Sequence, residues 1–322
     1  MDTLENPRIN RRLLRQTIPR GDFMRQRRRN SPDVAITQNP AESRAIEEGL
    51  NLLQADNLIH SNDVVVITPN WVQQQKPETG IVVGPESLRT VIRFVKKNNP
   101  KRVVIAVGSG QKETSEIMSF AGFDKVVAEE GVEFIDLNHG PFTRINLKHD
   151  APPATNLNRI FEEMTLLISF TQLKYHEEAT VSAAIKNIAL GWPPADEHGH
   201  PKKNLGIHSN LHGFIRSMAE SIPIDLSIVS ASPAMIGSGP AKGVPRHTGL
   251  VLCGTDPIAI DTLGARLLGF KPQAIHYLFD CANLNLGESA VEKINLKGLS
   301  LQDAEKIFSN AAYGSDVIID SK

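Results

Sequence analysis

Residues 64–70 read Val64-Val65-Val66-Ile67-Thr68-Pro69-Asn70, four β-branched apolar residues running into a proline-marked break. A run that is apolar at every position has no solvent face. It predicts a strand buried on both sides, as in a parallel sheet covered by helices. Working outward, Leu88, Val91, Ile92 and Val95 share one face of a predicted helix over 85–98, with Pro85 suited to its first turn. A strand from Arg102 to Val107 follows, then the loop Gly108-Ser109-Gly110, a helix from near Glu113, and a strand over 132–137. The second half resumes the alternation with a strand over 165–170, helices over 179–188 and 208–221, strands over 225–229 and 248–253, and a helix over 256–268. The expected fold is therefore α/β, mostly parallel sheets flanked by helices. A break at Ala151-Pro152-Pro153 suggests two lobes with a cleft between them. Residues 1–55 form an Arg-rich N-terminal arm and helix, 56–150 the first lobe, and 151–322 the second.

The composition is globular: 35 Lys plus Arg against 36 Asp plus Glu, 40% hydrophobic and 22% charged, which excludes disorder or a coiled coil as the main architecture. Two cysteines, Cys253 and Cys281, cannot hold a four-thiolate iron–sulfur cluster or a four-Cys zinc ion within this chain. No apolar run approaches the ~18 to 20 residues that a spanning helix requires, so no membrane contact is expected. With no signal-peptide pattern either, the expected location is cytoplasmic. Residues 1–30 hold nine arginines and three acids. Arg8, Arg11, Arg12 and Arg15 follow helical spacing, whereas Arg25 and Arg27-Arg28-Arg29 form a block that repels itself unless an anion or an acidic surface neutralises it. The arm reads as a solvated segment or as a contact within a homo-oligomer. Nucleic acid is the sharper alternative, but aromatic residues do not alternate with the arginines to stack bases.

In open parallel sheets ligands sit beyond the C-terminal ends of the strands, where loops and helix N-termini converge. Asn70 and the loop Gly108, Ser109 and Gly110 occupy such ends and are candidate cofactor-binding residues, although the loop lacks the full dinucleotide fingerprint and the phosphate-loop lysine. Lys174 and His176 leave another strand end. Lys186 stands ten residues beyond His176 in an otherwise apolar helical stretch, followed by Asn187. Pointing inward, Lys186 would lose charge by desolvation and suit base or covalent work; pointing outward, it is a solvated helix charge. Six of the ten histidines lie between His176 and His247. His208 and His212, four apart in a predicted helix, could chelate a metal, while His198-Gly199-His200 reads as an exposed loop. Asp256 precedes Pro257 and reads as either an N-cap or a carboxylate ligand. Asp261, inside an apolar run, is expected to face a site or pair with a cation.

These motifs resemble the domain-of-unknown-function family 362 (DUF362). The resemblance runs from about Asp63 to Gly287 through Val65-Val66-Ile67-Thr68-Pro69-Asn70, Gly108-Ser109-Gly110, Leu173-Lys174-Tyr175-His176, Ile185-Lys186-Asn187, Asp225-Leu226-Ser227-Ile228-Val229, Gly237-Ser238-Gly239-Pro240 and Asp256-Pro257-Ile258-Ala259-Ile260-Asp261. Thr68 stands where the family usually has lysine, and the cysteine-rich ferredoxin-like module of many members is missing. The chain is more distantly similar to nickel-pincer lactate racemases, in which a strand-end histidine precedes by ten residues a lysine that holds a pyridinium-derived nickel cofactor, as His176 precedes Lys186. Glu177-Glu178-Ala179-Thr180-Val181-Ser182 replaces the racemases' glycine-rich stretch, so the cofactor is not carried over.

The expected function is a metal-dependent enzyme acting on a small anionic or carbonyl-containing substrate, with redox chemistry preferred because of the family's iron–sulfur association. His176, His208, His212 and Asp256 are the expected ligands of a divalent iron, nickel or zinc ion. Lys174 and Lys186 serve as anion holder and base, beside Asp261. The alternatives are a metal-independent isomerase or lyase using Lys186, and a ligand- or nucleic-acid-binding protein using the arm.

Overall fold

A computed structural model describes residues 25–315. Arg8, Arg11, Arg12 and Arg15, and with them most of the arm expected to contact a subunit or nucleic acid, lie outside the described residues. The strands are β1 (Asp33–Gln38), β2 (Val64–Pro69), β3 (Arg102–Val107), β4 (Glu133–Asp136), β5 (Phe142–Asn146), β6 (Ala154–Asn158), β7 (Leu166–His176), β8 (Thr180–Ser182), β9 (Leu226–Ile236), β10 (Val244–Arg246), β11 (Leu250–Gly254) and β12 (Asn295–Gly298). The helices are α1 (Glu42–Leu52), α2 (Pro85–Lys96), α3 (Thr114–Ala121), α4 (Phe123–Glu130), α5 (Ile160–Glu163), α6 (Ala184–Gly191), α7 (Ala195–His198), α8 (Leu211–Ser221), α9 (Pro257–Leu267), α10 (His276–Asn283) and α11 (Leu301–Tyr313).

One ten-stranded sheet runs in the order β12-β1-β11-β9-β7-β2-β3-β4, with β10 beside β9 and β8 beside β7. Its centre is parallel: β2 pairs with β3 and β7, β3 with β4, and β7 with β9. The alternation of the opening stretch explains the layering. Val64 and Val66 pack with the α6, α8 and α9 side, whereas Val65 and Ile67 pack with α1, α2 and α4 on the other face. The fold class is thus the expected α/β arrangement.

The two-lobe division does not follow the sheet. β2 of the expected first lobe pairs directly with β7 of the second, Ile67 opposite Ile168. The break at Ala151-Pro152-Pro153 is the turn of a hairpin in which β5 and β6 pair antiparallel, Ile145 opposite Thr155. A proline pair stops a strand as readily as it starts a linker.

The described part of the arginine block is neutralised from within. Arg25 pairs with Asp225, Arg27 with Asp256, Arg28 with Asp63, and Arg29 with Asp33 at 3.8 Å. These contacts anchor the segment preceding β1 to the ends of several strands, which is the acidic surface such a block needs. Among the described residues no helix is long and apolar enough to cross a membrane.

Candidate active site at the ends of the parallel strands

β7 runs on past the expected strand over 165–170, and its overhang pairs with β8, Lys174 opposite Ser182 and His176 opposite Thr180. Side chains alternate across a strand, so Lys174 and His176 share one side while Tyr175 turns away to stack on Phe270, ring centroids 5.9 Å apart. β8 also displaces the expected helix. α6 begins at Ala184, so Lys186 is its third residue and stands in the first turn.

Lys174 is buried at 2% exposure. Its Nζ donates to Ile81 O at 2.9 Å. The Asn70 amide satisfies both its ends when its oxygen accepts from Lys174 Nζ and from Thr171 Oγ1, and its NH2 donates to Ile81 O at 3.3 Å. Burial, assisted by the like charge of Lys186, pulls Lys174 well below the ordinary lysine range. Burial also lowers Lys186 to about 8, against the opposing pull of Glu178. The charge of Lys186 adds to the lowering of Lys174, which therefore loses its proton first, although only Lys174 has protein acceptors. Lys186 has no hydrogen-bond or ion-pair partner among the described residues.

His176 is buried, and its Nδ1 accepts two backbone N–H groups, from Glu178 and Ala179, each at 3.1 Å. A neutral imidazole that accepts at Nδ1 carries its proton on Nε2. Burial first, then the charges of Lys186 and Lys174, drive His176 down to about 2. It therefore stays neutral and presents an Nε2–H donor. That tautomer has no lone pair at Nε2 for a metal.

The other expected ligands are placed differently from the expected set. His208 and His212 do not share a helix, because Asn210, at φ −143° and ψ 72°, breaks the helical path between them and caps α8. His208 Nδ1 meets Glu178 Oε2 at 2.5 Å. His212 donates from Nε2 to Glu178 O at 3.1 Å and accepts at Nδ1 from Tyr277 N–H at 3.3 Å, so both of its nitrogens are occupied. Asp256 is the N-cap of α9: Oδ1 accepts from Ile258 N at 2.9 Å and Ala259 N at 3.3 Å, and Oδ2 from Glu288 N at 2.9 Å. It also meets Arg27 at 3.2 Å. Of these four groups only His208 keeps a free ring nitrogen, oriented by Glu178, so as placed they make a poor transition-metal site.

Asp261 is fully buried and accepts from Ala184 N at 2.8 Å, Ile185 N at 3.3 Å and Tyr277 Oη at 3.1 Å. It caps α6 from a distance, since Ala183 at the N-cap has no side-chain acceptor. Burial raises its carboxyl to about 7. Asn187 donates to Thr68 O at 3.0 Å and Ser169 Oγ at 3.1 Å, tying α6 to β2 and β7. Ser109 orders its own loop: its N–H donates to Thr114 Oγ1 at 3.1 Å and its Oγ to Val72 O at 3.2 Å. Between them, Gly108 approaches Asn138 so closely that a Cβ would stand 2.6 Å from Oδ1, whereas Gly110 borders open space.

Several groups escaped the sequence reading. Lys202, in the segment read as an exposed loop, is buried, and its Nζ donates to Gly108 O at 2.9 Å, Leu190 O at 3.2 Å and Gly191 O at 3.3 Å. His198 is buried too, 2.9 Å from Thr155 Oγ1. Glu178 could have been found from its place two residues beyond His176. Among the described residues, Glu113, Asp136 and His139 form the one group of three His or carboxylate ligands whose ligating atoms all lie within 4.8 Å of one another.

The chain is a mostly parallel α/β sheet with one buried and one half-buried lysine and a neutral histidine beyond the C-terminal ends of its strands. Within the α/β class it belongs to the family Domain of unknown function (DUF362), whose profile matches residues 65–266. It is 23% identical over 240 residues to a thylakoid-associated protein of Synechocystis sp., covering 73% of this chain and 72% of that protein. Among solved structures, the lactate racemase apoprotein from Thermoanaerobacterium thermosaccharolyticum matches at TM-score 0.41 and 15% identity. The match covers 63% of this chain and 51% of that one, so the chain spans about half of the solved structure's length.

Proposed function

We propose that the chain is an enzyme that holds a small carboxylate-bearing carbonyl compound over the ends of β2 and β7 and moves a proton on the carbon beside the carbonyl. Lys174, placed by Ile81 O and Asn70, regains its proton when the substrate carboxylate settles beside it, and so supplies the positive charge that holds that carboxylate. Lys186, as the free amine, takes the proton from carbon; the electron pair moves onto the carbonyl oxygen, and the His176 Nε2–H donates to that oxygen. Return of the proton from the Lys186 ammonium to the carbon it left regenerates the substrate, with solvent hydrogen exchanged into it if the ammonium has exchanged meanwhile; protonation of the opposite face by a second donor gives the isomer, and Lys186 then releases its proton to solvent. His208, oriented by Glu178, stands in the same cluster as a second proton carrier.

The observation that carries this reading is Lys186 itself: a half-buried amine lowered to about 8, with no hydrogen-bond or ion-pair partner among the described residues, beside the buried Lys174. A cation in the first turn of a helix opposes the macrodipole, so its position there calls for an anion. A set of 2-oxo and 3-oxo acids incubated in D2O should include one whose proton on the carbon beside the ketone is lost to solvent, followed by NMR. Lys186→Ala should slow that exchange at least 1,000-fold, within the range assigned to general-base catalysis. The rate should rise with pH through about 8 as the amine loses its proton. Exchange that persists in Lys186→Ala, or no exchange with any acid, would overturn the assignment.

A further inference from the structure

A separate cluster stands where β4 ends. His139 Nδ1 faces Asp196 Oδ2 at 3.3 Å, which fixes the Nδ1–H tautomer and leaves the Nε2 lone pair free. That lone pair points at two carboxylates, Glu113 Oε2 at 3.5 Å and Asp136 Oδ2 at 3.8 Å. Facing two carboxylates, Nε2 must carry a positive group, either a proton or a metal ion in its place. Asp136 is prearranged for this, because Thr114 Oγ1 and the Asn138 N–H, each at 2.9 Å, both donate to its Oδ1 and leave Oδ2 turned inward. His200 Nε2 approaches Glu113 Oε1 at 3.8 Å and brings a second imidazole to the rim.

We propose that Glu113, Asp136 and His139 bind a divalent first-row transition ion of the zinc class. Metal–ligand bonds of about 2.0 to 2.1 Å put tetrahedral ligand atoms roughly 3.4 Å apart, close to the separations around His139 Nε2. The mixed nitrogen and oxygen set favours such an ion over calcium or magnesium, which take oxygen ligands. Asp196 behind His139 is the orienting carboxylate that metal-bound histidines commonly have. The ion would join the start of α3, the end of β4 and, through Asp196, α7. It would thereby fix the wall beside the Gly108–Gly110 loop. This inference does not depend on the chemistry assigned to Lys186.

The test is zinc titration of the full chain without a histidine tag, by calorimetry at pH 8, where an imidazole competes least for protons. One Zn2+ should bind per chain, and Mg2+ should not compete. His139→Ala and Asp136→Asn should each weaken binding at least 100-fold with unchanged circular dichroism. Asp196→Asn, a positioning variant, should cost about 10-fold. His208→Ala should leave affinity unchanged. Co2+ substitution supplies a visible absorption band that His139→Ala should abolish. Absence of zinc binding, or binding that survives His139→Ala or is lost in His208→Ala, would overturn the proposal and leave a protonated His139 among its carboxylates.

Discussion

The two ends of α6 treat a lysine in opposite ways. At the C-terminal end, Lys202 is fully enclosed, yet its three N–H bonds all reach carbonyls, two of them the helix's own final carbonyls at Leu190 and Gly191. A helix terminates in unpaired carbonyls carrying partial negative charge, so an ammonium there satisfies them and is itself stabilised. At the N-terminal end, Lys186 lies in the first turn, where the dipole opposes it, with no acceptor among the described residues. Burial lowers both amines, Lys202 to about 7 and Lys186 to about 8, so a shifted pKa alone does not tell them apart. The hydrogen-bond inventory does. A satisfied buried lysine such as Lys202 is part of the scaffold, whereas Lys186, half-buried and without a protein acceptor among the described residues, is available to a ligand.

That contrast breaks most sharply on a pair of substitutions. Lys202→Met should cost about 3 kcal/mol by urea denaturation, because it strands the carbonyls of Gly108, Leu190 and Gly191. Lys186→Met removes a charge with no protein partner, so its midpoint should stay level or rise, while the proton-exchange activity disappears. Equal losses of stability in the two variants would show that Lys186 has a structural role after all.

How much of this was legible differs from element to element. The β2, β3 and β9 strands could be read because runs such as Val64 to Ile67 and Leu226 to Val229 are apolar at successive positions. The overhang of β7 was read as a loop because Gln172, Lys174 and His176 are polar. Yet Leu173 and Tyr175 between them keep the period of two that marks a strand. β1 and β12 went unread: Asp33–Gln38 and Asn295–Gly298 are short and flanked by polar residues, and the sheet forms them by pairing β1 with β11. The sequence placed Lys174, His176 and Lys186 in one neighbourhood, and their charges do act on one another. What local sequence could not convey is hydrogen-bond occupancy. His212 and Lys202 are filled by backbone groups distant in sequence, and Asp256 takes a distant N–H from Glu288 besides its local cap; no spacing rule reports those distant partners. The metal pattern it suggested dissolved for this reason, while Glu113, Asp136 and His139, drawn from a helix start, a strand end and a turn, carried no joint signal.

A second comparison at the same helix end concerns Asp261, which compensates there for the missing N-cap. Its folded-state pKa, raised to about 7 by burial, lies above the unfolded value near 3.8. A raised pKa contributes stability that is present below the unfolded value and is lost as pH rises through the folded one. Stability should therefore fall between about pH 4 and 7, by on the order of 4 kcal/mol from this group. Asp261→Asn should flatten that fall. The lowered lysines act with the opposite sign, so stability should climb again from about pH 7 toward 10. A wild-type profile without the first decline would remove the case for a buried carboxyl as the cap of α6.

The smallest effect sharpens the difference between a capping aspartate and a ligand. Asp256 caps α9 in the ordinary local manner, through Ile258 and Ala259, and receives a further N–H from Glu288. Asp256→Asn keeps the capping oxygen but turns its NH2 toward the Glu288 N–H and loses the Arg27 ion pair, so it should cost about 1 kcal/mol. Asp256→Ala should cost about 1 to 2 kcal/mol, because the cap is removed as well. Neither should change the divalent-ion stoichiometry measured by elemental analysis, since every oxygen contact of Asp256 goes to a backbone N–H or to arginine. Metal lost from the asparagine variant at undiminished stability would return Asp256 to the list of ligands, with Arg27 as its rival.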